Sequence, residues 1–295
     1  MKEQHGRLDG STFLIDVDRP SESAIETPKT FESGLLRAVG CATMEEYAQK
    51  QQERQRKEEE VTAPIYRAYE AWKERLASAT NYEAWSQVVD AHPSIPDGLS
   101  LYVSSEEKMG DAIRKVWYRR ESAQRALPLF GSYFGKRYIE FDKNQVPKRT
   151  ALDELDSCIL GGPVGTGKTH ALAYLVDHIA KRNAMAGIKS GFEGDFAFYR
   201  CSDVFSKLHK GEEIEDKDRR YMVIDDYGRE YVEPWALSQF EELIEYRYGR
   251  DLKMLIACNL TKEQFLARPG FERIADRLLE LCSWVTLTGA SKRRK

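Results

Sequence analysis

One glycine-rich stretch of the chain has the residue types and the spacing needed to bind a triphosphate. It follows the pattern G-x-x-x-x-G-K-T, in which a glycine-rich turn lets backbone N–H groups converge on phosphate oxygens without obstruction by side chains. Lys168 is predicted to bridge the β- and γ-phosphates as a cation, and the Thr169 hydroxyl to bind Mg²⁺. The helix N-terminus that follows also favours anions. The predicted loop consists of Gly162, Pro163, Val164, Gly165, Thr166, Gly167, Lys168 and Thr169.

The residues on either side of this loop favour the strand–loop–helix context that phosphate binding requires. The run 158–160, Cys-Ile-Leu, is short and apolar, as expected of a buried strand. After the loop, apolar side chains recur at helical spacing, at Leu172, Leu175, Val176 and Ile179. A chance match within an ordinary loop is the alternative, and this context disfavours it.

A second apolar run ends in two neighbouring carboxylates. The segment 221–226 reads Tyr-Met-Val-Ile-Asp-Asp, which predicts a buried strand that ends at the edge of a nucleotide site. Asp225 is predicted to hold Mg²⁺, directly or through water, and Asp226 to polarise the attacking water. The alternative is a helix cap or a turn at the end of a strand. The phosphate loop earlier in the chain favours the metal site.

Two later segments carry polar groups that a phosphate site could use. Asn259 follows the apolar run 254–258 and could orient a water molecule, although a turn asparagine is the alternative. Arg273 and Arg277 are four residues apart, which places them on one face of a predicted helix. Either could reach the nucleotide of a neighbouring subunit, and a surface salt bridge is the alternative.

In this order, these segments resemble those of the DnaC/IstB-type AAA+ ATPases, a family of bacterial and phage replicative helicase loaders and transposition ATPases. The resemblance covers roughly residues 125 to 295. The combined order is specific, whereas each late motif is weak alone. The matching runs are 162–170, which adds His170 to the nucleotide-binding loop, 223–228, 246–248, 258–260 and 272–278.

The resemblance implies an enzyme that binds ATP and Mg²⁺ and hydrolyses ATP, slowly when alone. It assigns Lys168 and Thr169 to the first Walker motif and Asp225 with Asp226 to the second. Many AAA+ proteins have Glu at the second of these two acidic positions. The shorter Asp226 therefore predicts slow hydrolysis, although part of the family shares the Asp-Asp form.

Three further catalytic assignments follow from the same resemblance. Asn259 matches the first sensor. Arg277 matches the arginine finger that completes the site of the next subunit, with Arg273 as the neighbouring candidate, so self-assembly is implied. The implied partners are a hexameric replicative DNA helicase and single-stranded DNA.

The spacing of apolar runs predicts an α/β fold around a parallel sheet. Candidate strands are 157–161, 196–201, 221–225, 253–258 and 283–288, and the helices between them are about 168–183, 203–209, 233–249 and 270–281. Phosphate sites in such sheets lie at the carboxyl ends of the strands. The resemblance implies more specifically a five-stranded αβα P-loop AAA+ core without a lid domain.

Three regions are expected along the chain: a flexible arm over 1–34, a helical partner-binding module over 35–125 and an AAA+ ATPase domain over 126–295. In the module, Thr43 and Glu46 form a capping box, Pro64 is expected to bend or restart the first helix, and Asn81 to cap a second. Ser104 or Ser105 is expected to cap a third helix that ends near Ala126, and 127–156 is expected to be a connector. The aromatic residues of the module are expected to form its core rather than a platform for bases.

The bulk composition excludes several other classes of protein. The net charge is −3, so any DNA contact must come from local clusters such as the basic run 292–295, for which a solvated tail is the alternative. The five cysteines are scattered without a C-x-x-C pair, which disfavours a zinc site or a disulfide framework. The sequence shows neither a signal peptide nor a long apolar run, so a cytoplasmic protein without membrane contact is expected.

Four functions are consistent with these features. The first is ATP-dependent loading of a replicative helicase onto single-stranded DNA during replication initiation. The second is an IstB-like ATPase that regulates a transposase on duplex DNA, and the third is a nucleotide-gated adaptor that scarcely hydrolyses ATP. A small-molecule kinase is the weakest, because Asn259 and Arg277 have no role in it.

Overall fold

The computed structural model describes residues 36, 38, 40–93, 103–140, 146–188, 195–228 and 232–289. The expected flexible arm 1–34 and the basic run 292–295 lie outside these residues. Contacts divide the chain into two compact units, residues 1–68 and 69–295. The functional division expected near residue 125 stays a prediction.

The first long helix, α1 (Met44–Ser78), begins where the capping box predicts. The Thr43 hydroxyl accepts a hydrogen bond of 3.1 Å from the backbone N–H of Glu46, which satisfies one of the free donors at the helix start. Pro64 lies inside this helix, so the helix does not restart there, whereas the expected bend stays a prediction. Pro64 and Glu60 are both exposed, so water can bond the carbonyl group that loses its N–H partner.

The second unit contains a five-stranded sheet, and all strand pairs are parallel. The α/β fold and its five-stranded core are therefore confirmed. The strands are β1 (Cys158–Gly161), β2 (Phe196–Arg200), β3 (Tyr221–Tyr227), β4 (Lys253–Cys258) and β5 (Ser283–Thr286). The helices of this unit after α1 are α2 (Tyr82–Asp90), α3 (Val103–Phe134), α4 (Arg149–Leu152), α5 (Lys168–Met185), α6 (Cys201–His209), α7 (Pro234–Tyr248), α8 (Lys262–Leu266) and α9 (Glu272–Leu281), with a 3₁₀ turn at Lys136–Tyr138.

The strand order decides which loops meet. The order is β2-β3-β4-β1-β5, so β4 lies between β1 and β3. The carboxyl ends of β1, β4 and β3 are therefore adjacent at one edge of the sheet, which is where open α/β sheets bind their ligands.

Helices cover both faces of the sheet, as alternate side chains of the strands show. On β1, Leu160 packs in a cluster with Leu172 of α5 and Phe130 of α3. The neighbouring Ile159 packs on the opposite face with Val204 of α6 and Phe240 of α7. Two apolar cores with the sheet between them make the αβα sandwich.

Helix α3 is longer than the sequence predicts. It begins at Val103 and continues to Phe134, so neither Ser104 nor Ser105 precedes it, and it does not end near Ala126. Pro128 lies inside it and is exposed. Phe130 is fully buried, and its ring centroid lies 5.8 Å from that of Phe198 on β2. Burial of this last part of the helix against the sheet outweighs the helix-breaking tendency of proline.

The described residues also correct the connector expected over 127–156. Its first part is the end of α3, and the 3₁₀ turn and α4 follow within it. Residues 141–145 lie outside the described residues. The described parts of this region therefore belong to the helical layer that packs on the sheet.

A buried arginine secures the sheet edge opposite the predicted phosphate site. Arg247 of α7 is fully buried and donates hydrogen bonds to the carbonyl groups of Lys217, Arg219 and Lys253, at 2.6, 3.0 and 2.6 Å. Burial lowers its pKa to about 10, so it remains charged at neutral pH. These bonds tie the segment before β3 to the start of β4. The run 246–248, one of the matched motifs, thus includes a structural residue.

Replacing Arg247 with methionine is expected to lower the free energy of unfolding by about 3 kcal/mol or more, because three buried carbonyl groups lose their donors. Arg250→Met is the matched control, since Arg250 is exposed and its guanidinium lies 3.7 Å from the centroid of the half-buried Tyr246 ring. Urea denaturation measures both variants. Equal losses in the two would contradict the structural role of Arg247.

Among the described residues, no helix combines the length and the apolar character needed to cross a membrane. All five cysteines are buried and have free thiols.

Candidate nucleotide-binding site

The predicted phosphate loop leaves β1 and enters α5 through a turn with three glycines in left-handed or related conformations. The φ angles are +140° at Gly162, +88° at Gly165 and +94° at Gly167, and only glycine adopts such values readily. The backbone N–H of Gly162 donates to the carbonyl of Leu260, at 3.2 Å. The loop is thereby fixed to the segment that follows β4, and the strand–loop–helix context is confirmed.

Gly162→Ala is expected to destabilise the protein and its loop together, because a Cβ there would lie 2.1 Å from the carbonyl oxygen of Leu287. Relieving such a contact costs about 1–3 kcal/mol. Gly289→Ala is the matched control, since its φ of +128° is similar and a Cβ there meets nothing within 4 Å. Thermal unfolding compares the two variants. Similar melting temperatures would contradict this close approach.

The Lys168 ammonium group lies inside the loop. It donates hydrogen bonds of 2.8 Å to the carbonyl oxygens of Gly162 and Pro163, and the residue is only 6% exposed. A buried cation that is held by carbonyl groups keeps its charge available for an anion placed in the loop.

The Thr169 hydroxyl and the Asp225 carboxylate meet between the loop and β3. The hydroxyl donates to Oδ2 of Asp225 at 3.0 Å. Burial raises the pKa of the Asp225 carboxyl to about 6, and the nearby charge of Asp226 adds to this increase, whereas the bond from Thr169 opposes it. A buried carboxylate beside a hydroxyl is a donor set that suits Mg²⁺.

A bulge in β3 separates the roles of the two adjacent carboxylates. The pairing of β3 with β4 shifts register between Ile224 and Tyr227, and Asp226 has a φ of +58°. Asp225 consequently points inward and is buried, while Asp226 is exposed. Bulges commonly redirect side chains beside functional sites in this way.

Asn259 lies beside the exposed carboxylate. Its side-chain Nδ2 donates to Oδ1 of Asp226 at 3.2 Å, and its backbone N–H donates to the carbonyl of Tyr227 at 3.0 Å. An amide and a carboxylate in contact at the sheet edge could together hold a water molecule beside the phosphate loop.

All of these side chains line one cavity, together with two residues that the sequence did not indicate as part of the site. Its lining includes Lys168, Thr169, Asp225, Asp226 and Asn259, together with Val164, Gly165, Gly167, His170, Arg137 and Tyr138. The last two belong to the 3₁₀ turn after α3. The sequence places both in the expected connector 127–156, and nothing in their spacing points to a nucleotide.

The 3₁₀ turn is attached to the phosphate-loop helix by a series of ring contacts. The rings of Tyr138 and His170 are 4.9 Å apart in an edge-to-face arrangement. The Arg137 guanidinium lies 4.8 Å from the Tyr138 ring and donates to its hydroxyl at 2.8 Å. These contacts therefore hold the Arg137 guanidinium in a defined position next to the phosphate loop.

The two candidate arginine fingers lie elsewhere, on α9. Arg277 bonds Glu245 of α7 at 3.0 Å and lies 4.7 Å from the Tyr248 ring, with its side chain 33% exposed. Arg273 pairs with Glu241 at 2.8 Å and its side chain is 79% exposed. Neither lines the cavity of its own chain, so any action on a nucleotide requires a neighbouring copy.

Among the described residues, no group of three or more His, Cys, Asp and Glu side chains could hold a metal ion. Asp225 and Thr169 would have to share a cation with oxygens of a bound nucleotide, which is how Mg²⁺ is commonly held beside phosphates.

Comparisons with known proteins give structural neighbours only. No family model and no curated protein matches the chain. A crystal structure of DnaI aligns with a TM-score of 0.37 and 22% identity, over 59% of this chain and 84% of that one. A crystal structure of the DnaC helicase loader aligns with a TM-score of 0.33 and 16% identity, over 58% of this chain and 90% of that one. Among solved structures, the chain is thus similar to DnaI and to the DnaC helicase loader.

Proposed function

We propose that this chain is an ATP-dependent loader that places a hexameric replicative DNA helicase on single-stranded DNA during replication initiation. The observation that carries the proposal is the convergence of Lys168, Thr169, Asp225, Asp226 and Asn259 on one cavity. These residues come from three strand ends that are far apart in the sequence, and their chemistry suits ATP and Mg²⁺.

Each residue has a distinct task in this proposal. The loop N–H groups and Lys168 would hold the phosphates, and Thr169 and Asp225 would hold Mg²⁺, which offsets the charge that develops on the phosphates. Asp226 would accept a proton from the attacking water, and Asn259 would orient that water.

Asp226→Asn is expected to lower the rate of ATP hydrolysis by about 10²-fold or more, because the amide cannot accept the proton. ATP affinity should change little, since the side chain is exposed and lies outside the phosphate loop. Phosphate release measures the rate of hydrolysis, and binding of a fluorescent ATP analogue measures the ATP affinity. Asp203→Asn, an exposed aspartate in the first turn of α6, is the control. An unchanged turnover in Asp226→Asn would exclude Asp226 as the base.

Residues 35–125 would bind the helicase, and the ATPase domain would assemble side by side with its copies. ATP would stabilise the assembled state that holds single-stranded DNA, and hydrolysis would release it. Affinity capture from the source cell, with and without ATP, tests this function. Recovery of a replicative helicase in an ATP-dependent manner is expected, and recovery of a transposase would instead favour the IstB-like alternative.

A nucleotide-gated adaptor is the second candidate, and the Asp226–Asn259 contact favours it. In the described structure the amide of Asn259 donates to the carboxylate that would serve as the base, so that carboxylate oxygen is already occupied by a protein donor rather than by the attacking water. Turnover with and without single-stranded DNA separates the two functions. An adaptor would bind ATP and hydrolyse almost none under either condition.

A further inference from the structure

The exposed face of α3 carries cations, aromatic rings and an apolar side chain that are largely accessible to solvent. Six residues define this face, which we name the α3 track: Arg114, Lys115, Tyr118, Arg125, Leu129 and Tyr133. Tyr118 is 51% exposed, Leu129 39% and Tyr133 55%. The spacing of these residues follows the helical repeat over a length of about 29 Å.

The opposite face of the same helix is buried in the apolar core. Ala123, Ala126, Phe130 and Phe134 pack there against the helical layer of α5 and the sheet. The orientation of α3 is therefore fixed, and the α3 track is held towards the outside. The expectation that aromatic residues of this region form a core is met by Trp72 and Trp85, which are 3% and 4% exposed, but not by Tyr118.

The local charge differs in sign from that of the whole chain. Residues 108–140 contain eight Lys and Arg and three Asp and Glu, although the chain has a net charge of −3. Arg114 pairs with Asp111 and Arg125 with Glu121, at 2.5 and 3.5 Å. No carboxylate of the described residues pairs with Lys115. The track therefore presents a net positive charge to solvent.

The track leads directly to the nucleotide cavity. Helix α3 ends at Phe134, and the 3₁₀ turn that follows carries Lys136, Arg137 and Tyr138. Arg137 and Tyr138 line the cavity that contains Lys168. A nucleotide that contacts this turn would be coupled to the end of α3 without any intervening element.

We propose, on the basis of the ATP-dependent function above, that the α3 track binds single-stranded nucleic acid. The cations would follow the phosphate backbone, and the rings of Tyr118 and Tyr133 would stack on bases, which is the combination that sequence-independent single-strand binding uses. An acidic protein surface could also use the cations, but it offers no flat bases on which both rings could stack.

Binding of a fluorescent oligothymidylate of about 20 nucleotides tests the track, with full-length protein and with ATP present or absent. Lys115→Gln with Arg125→Gln should weaken binding and reduce the slope of log K against log salt by about 1.4, since each single-strand phosphate contact contributes about 0.7. Tyr118→Leu with Tyr133→Leu should weaken binding on the order of tenfold per ring. Leucine keeps the apolar contact of Tyr133 with Phe198, whose ring centroid lies 5.6 Å away.

The matched controls lie on the other face of the sheet. Lys207→Gln in the last turn of α6, combined with Lys210→Gln just after it, removes two cations, and Trp235→Leu removes an aromatic ring that is 44% exposed. These variants should bind the oligonucleotide as the unaltered protein does, and all variants should melt at similar temperatures.

Three outcomes would contradict the proposal that the α3 track binds single-stranded nucleic acid. The first is equal oligonucleotide affinity in track and control variants, and the second is no oligonucleotide binding by the unaltered protein with or without ATP. The third is loss of helicase capture by track variants that keep full oligonucleotide affinity. The last outcome would indicate that the α3 track binds a protein instead. A fluorescent ATP analogue is measured in parallel, because oligonucleotide binding through the track without ATP binding would refute the ATP-dependent loader and leave the track in place.

Discussion

Lys168→Ala is expected to weaken ATP binding about a hundredfold or more. The Lys168 ammonium is the buried cation of the phosphate loop, only 6% exposed, and a charge-assisted bond to a phosphate contributes about 1.5–3 kcal/mol. Loss of this bond comes with loss of the two bonds that the ammonium makes to the loop carbonyls, so the loop itself also becomes less ordered. Titration with a fluorescent ATP analogue measures the effect.

Lys181→Ala is the control, because Lys181 lies on the same helix and pairs with Asp177 at 3.1 Å, away from the cavity. The melting temperature of each variant without nucleotide separates a binding defect from unfolding. Lys168→Met, which keeps most of the side-chain volume, serves if Lys168→Ala does not fold. An ATP affinity within a few-fold of the original in a folded variant would remove the phosphate loop from the proposed function.

Arg277→Ala is expected to lower hydrolysis by about 10³-fold in the assembled state while ATP affinity stays the same. A trans arginine contributes about 10³–10⁵ to the rate of related phosphoryl transfers, and Arg277 does not line the cavity of its own chain. Its contacts to Glu245 and Tyr248 hold it at the surface of α7 with a third of its side chain exposed. Turnover measured against protein concentration reveals the dependence on assembly.

Mixing two inactive variants provides a sharper test of the trans action. A subunit with Arg277→Ala keeps its phosphate loop, and a subunit with Lys168→Ala keeps its arginine, so some interfaces in a mixture contain one intact copy of each. Partial recovery of turnover is expected. Unchanged turnover in Arg277→Ala, combined with a loss in Arg273→Ala, would transfer the role to Arg273, and a loss in neither would exclude a trans arginine on α9.

The sequence predicts well those parts of this protein whose structure depends on the residues in the same short segment. The loop 162–169 must turn between a strand and a helix because its glycines permit the turn and its flanking residues are apolar at the right spacing. The five strands appear where the apolar runs are, because a strand between two helical layers needs apolar side chains on both faces. Asp225 and Asn259 lie near the carboxyl ends of β3 and β4, because the apolar runs that form these strands stop there.

Other features depend on contacts between residues that are distant in the sequence, and no local pattern contains them. Proline and polar residues suggest that α3 ends early, but Phe130 and Phe134 gain a buried site only when the sheet is present, and the helix continues to reach it. Arg137 enters the nucleotide cavity because α3 delivers the 3₁₀ turn to His170. Arg277 lies between Glu245 of α7 and two carboxylates of its own helix, away from its own cavity. The sequence by itself thus determined the chemistry of the phosphate loop, whereas the tertiary structure decided which distant side chains surround it, because burial and charge pairing act between elements only after the chain has brought them together.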